Sequence, residues 1–280
     1  MGVGFNSIYH ITDSPSFITD KNYVILDPHE WYFEGGYALD FVENDLQESY
    51  KDQFLPFSKP FGNIQFDRPF DGTIFRYPLR TEQDSHESSI SKKVYHPSEI
   101  LEMFEKFYQR ESVNCLLFLK YIETISFYEF KKGAERPELL YQIKLKNADK
   151  VRKQRRLIVE KIIDQMKHFQ HQRIDTDILK TTYIAEFCKY SKTDVETEIQ
   201  NWLILNYLDN LNKADKYFMD EYQRNIDDYK FVPNVGLAVC LDGQLAIGQL
   251  FCFLPLPVKM PFRISVHGYF AVNFIIKTFL

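Results

Sequence analysis

Met1-Gly2-Val3-Gly4-Phe5-Asn6-Ser7-Ile8-Tyr9-His10-Ile11-Thr12-Asp13 opens the chain. A glycine-rich turn feeding an amphipathic segment is one way for a backbone to build an anion site. Glycines let the main chain approach a ligand closely, and a helix start leaves N–H groups unpaired. On this reading Gly2, Val3, Gly4 and Phe5 point to phosphate. The spacing alone is generic. A dinucleotide fingerprint needs a strand before its glycines and a Walker loop needs Gly-Lys-Ser/Thr after them; neither accompanies this block. A loose chain terminus is the competing reading.

Further blocks sharpen the choice. Pro15-Ser16-Phe17 and Ile25-Leu26-Asp27-Pro28-His29 follow the first; Phe70-Asp71-Gly72-Thr73-Ile74-Phe75-Arg76-Tyr77-Pro78-Leu79-Arg80 comes next. Leu250-Phe251-Cys252-Phe253-Leu254-Pro255-Leu256-Pro257 and Val266-His267-Gly268-Tyr269-Phe270-Ala271 lie near the end. Together these strings resemble the sacsin family, and through it the GHKL ATPases that include the ninety-kilodalton heat-shock chaperones. The resemblance implies an α+β chain: residues 1–85 as the C-terminal part of a GHKL two-layer sandwich, and residues 86–280 as a second mixed α/β domain. It implies that the backbone of Gly2, Val3, Gly4 and Phe5 faces ATP phosphates and that the Thr73 hydroxyl lies near the adenine.

Two GHKL elements find no match in the sequence. One is the helix whose Glu activates water and whose Asn binds magnesium; the other is the D-x-G-x-G segment that reads the adenine. The family's Asn-Arg-Arg is also replaced by Asn273-Phe274-Ile275, leading into an apolar tail. Phosphoryl transfer depends on positioning and on a metal that bridges the phosphates. The expectation is therefore a truncated chaperone module with ATP and Mg binding weak or lost, no catalytic residue and no hydrolysis. Its expected partners are client or co-chaperone proteins. A nucleotide-independent interaction scaffold and an incomplete gene model of an ATP-binding chaperone are the alternatives.

Composition sets outer bounds. The chain has 280 residues, 45% of them hydrophobic, with 25 Phe and 18 Tyr, enough for one large core or two modest ones. A net charge of -5 argues against a chain-wide polyanion partner. The four cysteines, Cys115, Cys188, Cys240 and Cys252, lack C-x-x-C spacing, which argues against zinc and disulfide frameworks and fits a reducing cytosol. No signal peptide is read at the start, and the apolar stretch 245–256 is shorter than the roughly 20 residues that span a bilayer. A cytoplasmic, membrane-free protein is the expectation.

Pattern predicts a short helix at 5–11, strands at 23–26 and 73–79, and a polar, serine-rich boundary or lid-like loop at 82–93. A helix starts at Pro97, with Ile100, Met103, Phe104 and Phe107 at helical spacing. Strand pairs are expected at 115–119 with 122–130 and at 182–190 with 199–208, and a half-buried strand at 139–145. Helices are expected at 149–169 and near 214–222, with further strands from 235 onward.

Other chemistry is weaker. Lys144, Lys146, Lys150, Arg152, Lys153, Arg155 and Arg156 form a basic run that could hold phosphate or nucleic acid but reads better as a solvated helix face. His168 and His171 have metal-ligand spacing without an obvious third ligand and read as surface histidines. His10, His29 and His267 are expected to hold local turns by hydrogen bonds. Phe251, Phe253 and Phe270 could form a client surface but read as core. No G-x-S-x-G or H-E-x-x-H motif is present.

Overall fold

The computed structural model describes residues 3–43, 46–62, 64–170, 179–194, 197–208, 234–243 and 247–268. The chain is α+β and divides into two compact units, Met1–Glu105 with Tyr128–Glu138, and Lys106–Phe127 with Leu139–Leu280.

The first unit opens with α1 (Val3–Asn6) and a 3-10 turn over Ser7–His10. Strands β1 (Ser16–Asp20), β2 (Asn22–Asp27) and β3 (Gly35–Asp40) follow, then short helices α2 (Leu46–Ser49) and α3 (Lys51–Ser58). Strand β4 (Phe70–Arg76) and helix α4 (Glu82–Glu87) complete the set. The antiparallel sheet runs β3-β2-β1-β4. Thr19 pairs with Asn22 across a two-residue turn in which Asp20 takes φ 49°, the left-handed conformation that tight hairpins require and Asp tolerates.

Alternation along the strands sends Ile18, Tyr23, Ile25, Leu39 and Ile74 to one face. There they pack with Phe41, Phe54, Phe57 and Phe66, the second and third of these from α3. We call this the inner face. Thr81 caps α4 in a reciprocal box with Asp84, so the polar stretch expected as a loop from 82 begins as a helix.

The second unit takes the residues of α5 (Pro97–Arg110) from Lys106 on, then α6 (Ser112–Leu116). An eight-stranded sheet follows, with one long helix, α7 (Ala148–Gln170). The strands in chain order are β5 (Thr124–Glu129), β6 (Glu138–Leu145), β7 (Leu179–Ser191), β8 (Glu198–Leu208), β9 (Asn234–Cys240), β10 (Gln249–Cys252), β11 (Leu254–Lys259) and β12 (Ser265–His267). Their spatial order is β11-β10-β12-β9-β8-β7-β6-β5.

The expected pairing of 182–190 with 199–208 is present as β7–β8, and the helix expected at 149–169 is α7. The strand expected at 115–119 is overturned: residues up to Leu116 close α6, whose Val113, Cys115 and Leu116 are all buried. A short apolar run carries no period by which to tell strand from buried helix. The helix expected near 214–222 and the 273–280 tail lie outside the described residues.

Val151, Arg155, Ile158 and Ile162 form the buried stripe of α7. The basic run thus divides. Arg155 turns inward and donates to the carbonyls of Leu116 at 2.8 Å and Ile122 at 3.2 Å, whereas Arg152 pairs with Glu123 at 2.7 Å and Asp149 at 3.1 Å. Lys153 and Arg156 are exposed. Phe251 is fully buried in this unit's core, while Phe253 is only partly buried; Phe270 lies outside the described residues.

Candidate functional site

The glycine block leads into a buried ion pair. Arg80, whose side chain is fully buried, reaches Asp13 with two parallel hydrogen bonds, Nε to Oδ2 at 2.6 Å and Nη2 to Oδ1 at 2.9 Å. Its remaining N–H groups donate to the carbonyls of Tyr9 (2.8 Å), His10 (3.0 Å) and Lys93 (2.9 Å). All five guanidinium donors are therefore used, as an unhydrated arginine requires. The Arg80 backbone N–H adds a bond to Ile11 O at 3.0 Å.

Asp13 Oδ1 also accepts from Ser88 Oγ at 2.8 Å and from His29 Nε2 at 3.1 Å. With Nε2 donating, Nδ1 of His29 is left to accept from Ser89 Oγ at 3.1 Å. Burial opposes ionisation of Asp13, but hydrogen bonds from Arg80, His29 and Ser88 and the Arg80 charge outweigh it and hold the carboxyl below its ordinary value. His29 stacks on Trp31 at 4.4 Å. Three separated blocks, ending at Asp13, His29 and Arg80, thus close on one point, and Ser88 brings the polar stretch after them into it.

The residues expected to face ATP belong to the same unit. Gly2 is outside the described residues. Val3 and Gly4 start α1, and Phe5 continues it. The Phe5 ring meets Phe75 at 6.2 Å, and Phe75 meets Phe17 at 5.3 Å. Thr73 and Phe75 are two apart on β4, so both project from the outer face of the sheet, opposite the α3-covered core. The sheet thus gives Phe5 and Thr73 a common face. The Thr73 hydroxyl is 2.9 Å from that of Thr19, its partner in register on β1. Among the described residues no three His, Cys, Asp or Glu side chains gather as a cation site. His171 lies outside them. No helix among them is long and apolar enough to cross a membrane.

A family model for the sacsin domain matches residues 1–142, the stretch that carries this whole network. The chain belongs to the sacsin domain family. Human sacsin is 28% identical over 294 residues, an alignment that takes in 97% of this chain and 6% of the human protein. The chain spans that small fraction of its relative's length.

Within the family blocks, sequence reading singled out the glycines and Thr73 and passed over Asp13, Arg80 and Ser88. Asp13 and Arg80 end two of the quoted blocks. An acid and an arginine that each terminate a quoted block were the available signal. Ser88, within a run of polar residues, offered none.

His267 holds a turn, as expected. Its Nδ1 accepts the Phe253 N–H at 3.2 Å, and the ring stacks on Phe118 at 5.1 Å. Burial first, with help from the Lys120 charge, pushes its pKa down to about 4.

Proposed function

We propose that this chain is a chaperone-type interaction module of the sacsin family that does not turn over ATP, with residues 2–13 serving to lock the first unit together. The supporting observation is the use made of the block: Asp13, with the Tyr9, His10 and Ile11 carbonyls, is spent on Arg80. Removing one member of a buried, fully hydrogen-bonded pair strands the other charge and costs about 3–5 kcal/mol. Such a network fixes the glycine block against the sheet whether or not a nucleotide is present. On this reading the partners are client or co-chaperone proteins.

A second reading has one observation in its favour. Phe5 and Thr73 share the outer sheet face, so weak ATP contact through the α1 backbone N–H groups and the Thr73 hydroxyl fits the GHKL resemblance. A thermal melt with and without millimolar Mg-ATP separates the two. A ligand that binds only the native state stabilises it by about 2.7 kcal/mol at a hundredfold excess over Kd. No shift supports the scaffold; a shift abolished by Gly4→Val supports residual nucleotide binding.

A further inference from the structure

The inner face of the four-stranded sheet holds a second feature that the reading above does not use. Register places Arg76 opposite Ser16, Ser16 opposite Ile25, and Ile25 opposite Tyr37, one row across β4, β1, β2 and β3. Directly paired residues project on the same side, so this row is the floor of a cavity of about 620 Å³. Tyr23 and Leu39 come from the next row, Phe54 closes the cavity from α3, and Phe33 overhangs it, stacked on Tyr37 at 5.4 Å. A volume of this size with mostly apolar walls, several of them aromatic, is typical of small-molecule sites.

Ser16, Tyr23 and Arg76 stand together at one end, and Gln53 adds a further polar group to the wall. Ser16 is 2% exposed; its hydroxyl is closed off from the cavity and turns toward that of Tyr23. Arg76, across the strand pair from it, makes no ion pair among the described residues. The Tyr23 hydroxyl stands with them: burial raises its pKa, while Ser16 and the Arg76 charge pull the other way. Asp27 also lines the wall, but its oxygens accept the N–H groups of Trp31 (3.2 Å), Tyr32 (2.6 Å) and Phe33 (3.0 Å), which fold the aromatic loop over the cavity.

We propose that this cavity binds a small aromatic carboxylate, whose carboxylate takes the Arg76 guanidinium and whose ring lies between Tyr37, Phe33 and Phe54. A guanidinium suits an oxyanion, and a single unpaired arginine suits a monoanion. The aromatic walls favour a flat ring by offset or edge contact. The site lies on the sheet face opposite Phe5 and Thr73, so it stands or falls independently of any nucleotide contact there.

The test uses the full chain and two probes of equal shape, 2-naphthoate and the neutral 2-naphthalenemethanol, titrated by calorimetry and by amide chemical-shift mapping. Saturable naphthoate binding that perturbs residues 16, 23, 37 and 76 is expected. Arg76→Gln should weaken it about tenfold or more, since hydrogen bonds to a charged group are worth that factor, and leave the alcohol unchanged. If Arg76→Gln does not fold, Tyr37→Ala, at an exposed edge-strand residue, is the second variant, and it should weaken acid and alcohol alike. Absence of saturable binding, equal affinity for acid and alcohol, shifts confined to other residues, or insensitivity to these variants would overturn the assignment.

Discussion

Asp13 shows how one residue carries a structural block. Its carboxylate accepts from Arg80, Ser88 and His29 in a space that excludes water, so its loss exposes no alternative partner to Arg80. Asp13→Ala is expected to cost about 3–5 kcal/mol in urea unfolding, and Arg80→Met about as much. His267 gives a pH signature of its own. Its unfolded pKa is 6.5 and its folded value about 4, so the folded state refuses a proton that the unfolded chain accepts. Its contribution is intact above about pH 6.5, declines as pH falls from 6.5 toward 4, and amounts to roughly 3 kcal/mol across that window. A stability–pH profile should show this slope in the parent chain and lose it in His267→Gln. Asp13, held below its ordinary value, adds a further loss only at lower pH.

Among the elements, β3 is the most sharply constrained. Gly36 sits at φ 129°, and a Cβ there would lie 2.6 Å from the Ile25 carbonyl oxygen on β2. Gly36→Ala should therefore destabilise by more than about 1 kcal/mol, measurable as a lower urea midpoint with an unchanged slope. The elements also show what the sequence could and could not reveal. β7, β8 and α7 were legible because each is long enough for its period to repeat. The short helix of residues 5–11 was legible from its apolar side and is seen as α1 with its 3-10 turn. β4 was placed near 73–79 but runs Phe70–Arg76, because Pro78 cannot continue a ladder and strand ends carry little signal. α6 was misread, since an apolar run of a few residues has no period. In α5 the residue buried is Tyr108, while Met103, one of the four residues at helical spacing, is 42% exposed. The Asp13–Arg80 pair joins residues 67 apart. Local pattern cannot announce such a pairing, although both ends stand in quoted blocks. The Ser16–Arg76 end of the cavity was hidden for the same reason, being a product of the pairing of β1 with β4.

At the scale of the whole molecule, the chain has two units, each with its own core, and belongs to the sacsin domain family through residues 1–142. It spans 6% of human sacsin, so the chaperone role stands here as a proposal resting on the first unit. The central claim is that residues 2–13 act on this chain through Asp13, as a lock, before they act through Gly4, as a ligand loop. The most direct measurement is a thermal melt of the parent chain, Asp13→Ala and Gly4→Val, each with and without millimolar Mg-ATP. Tm should fall by about 6–20 °C for Asp13→Ala, and the parent should not respond to nucleotide. A rise in Tm with Mg-ATP that Gly4→Val abolishes, in a protein indifferent to Asp13→Ala, would contradict that claim.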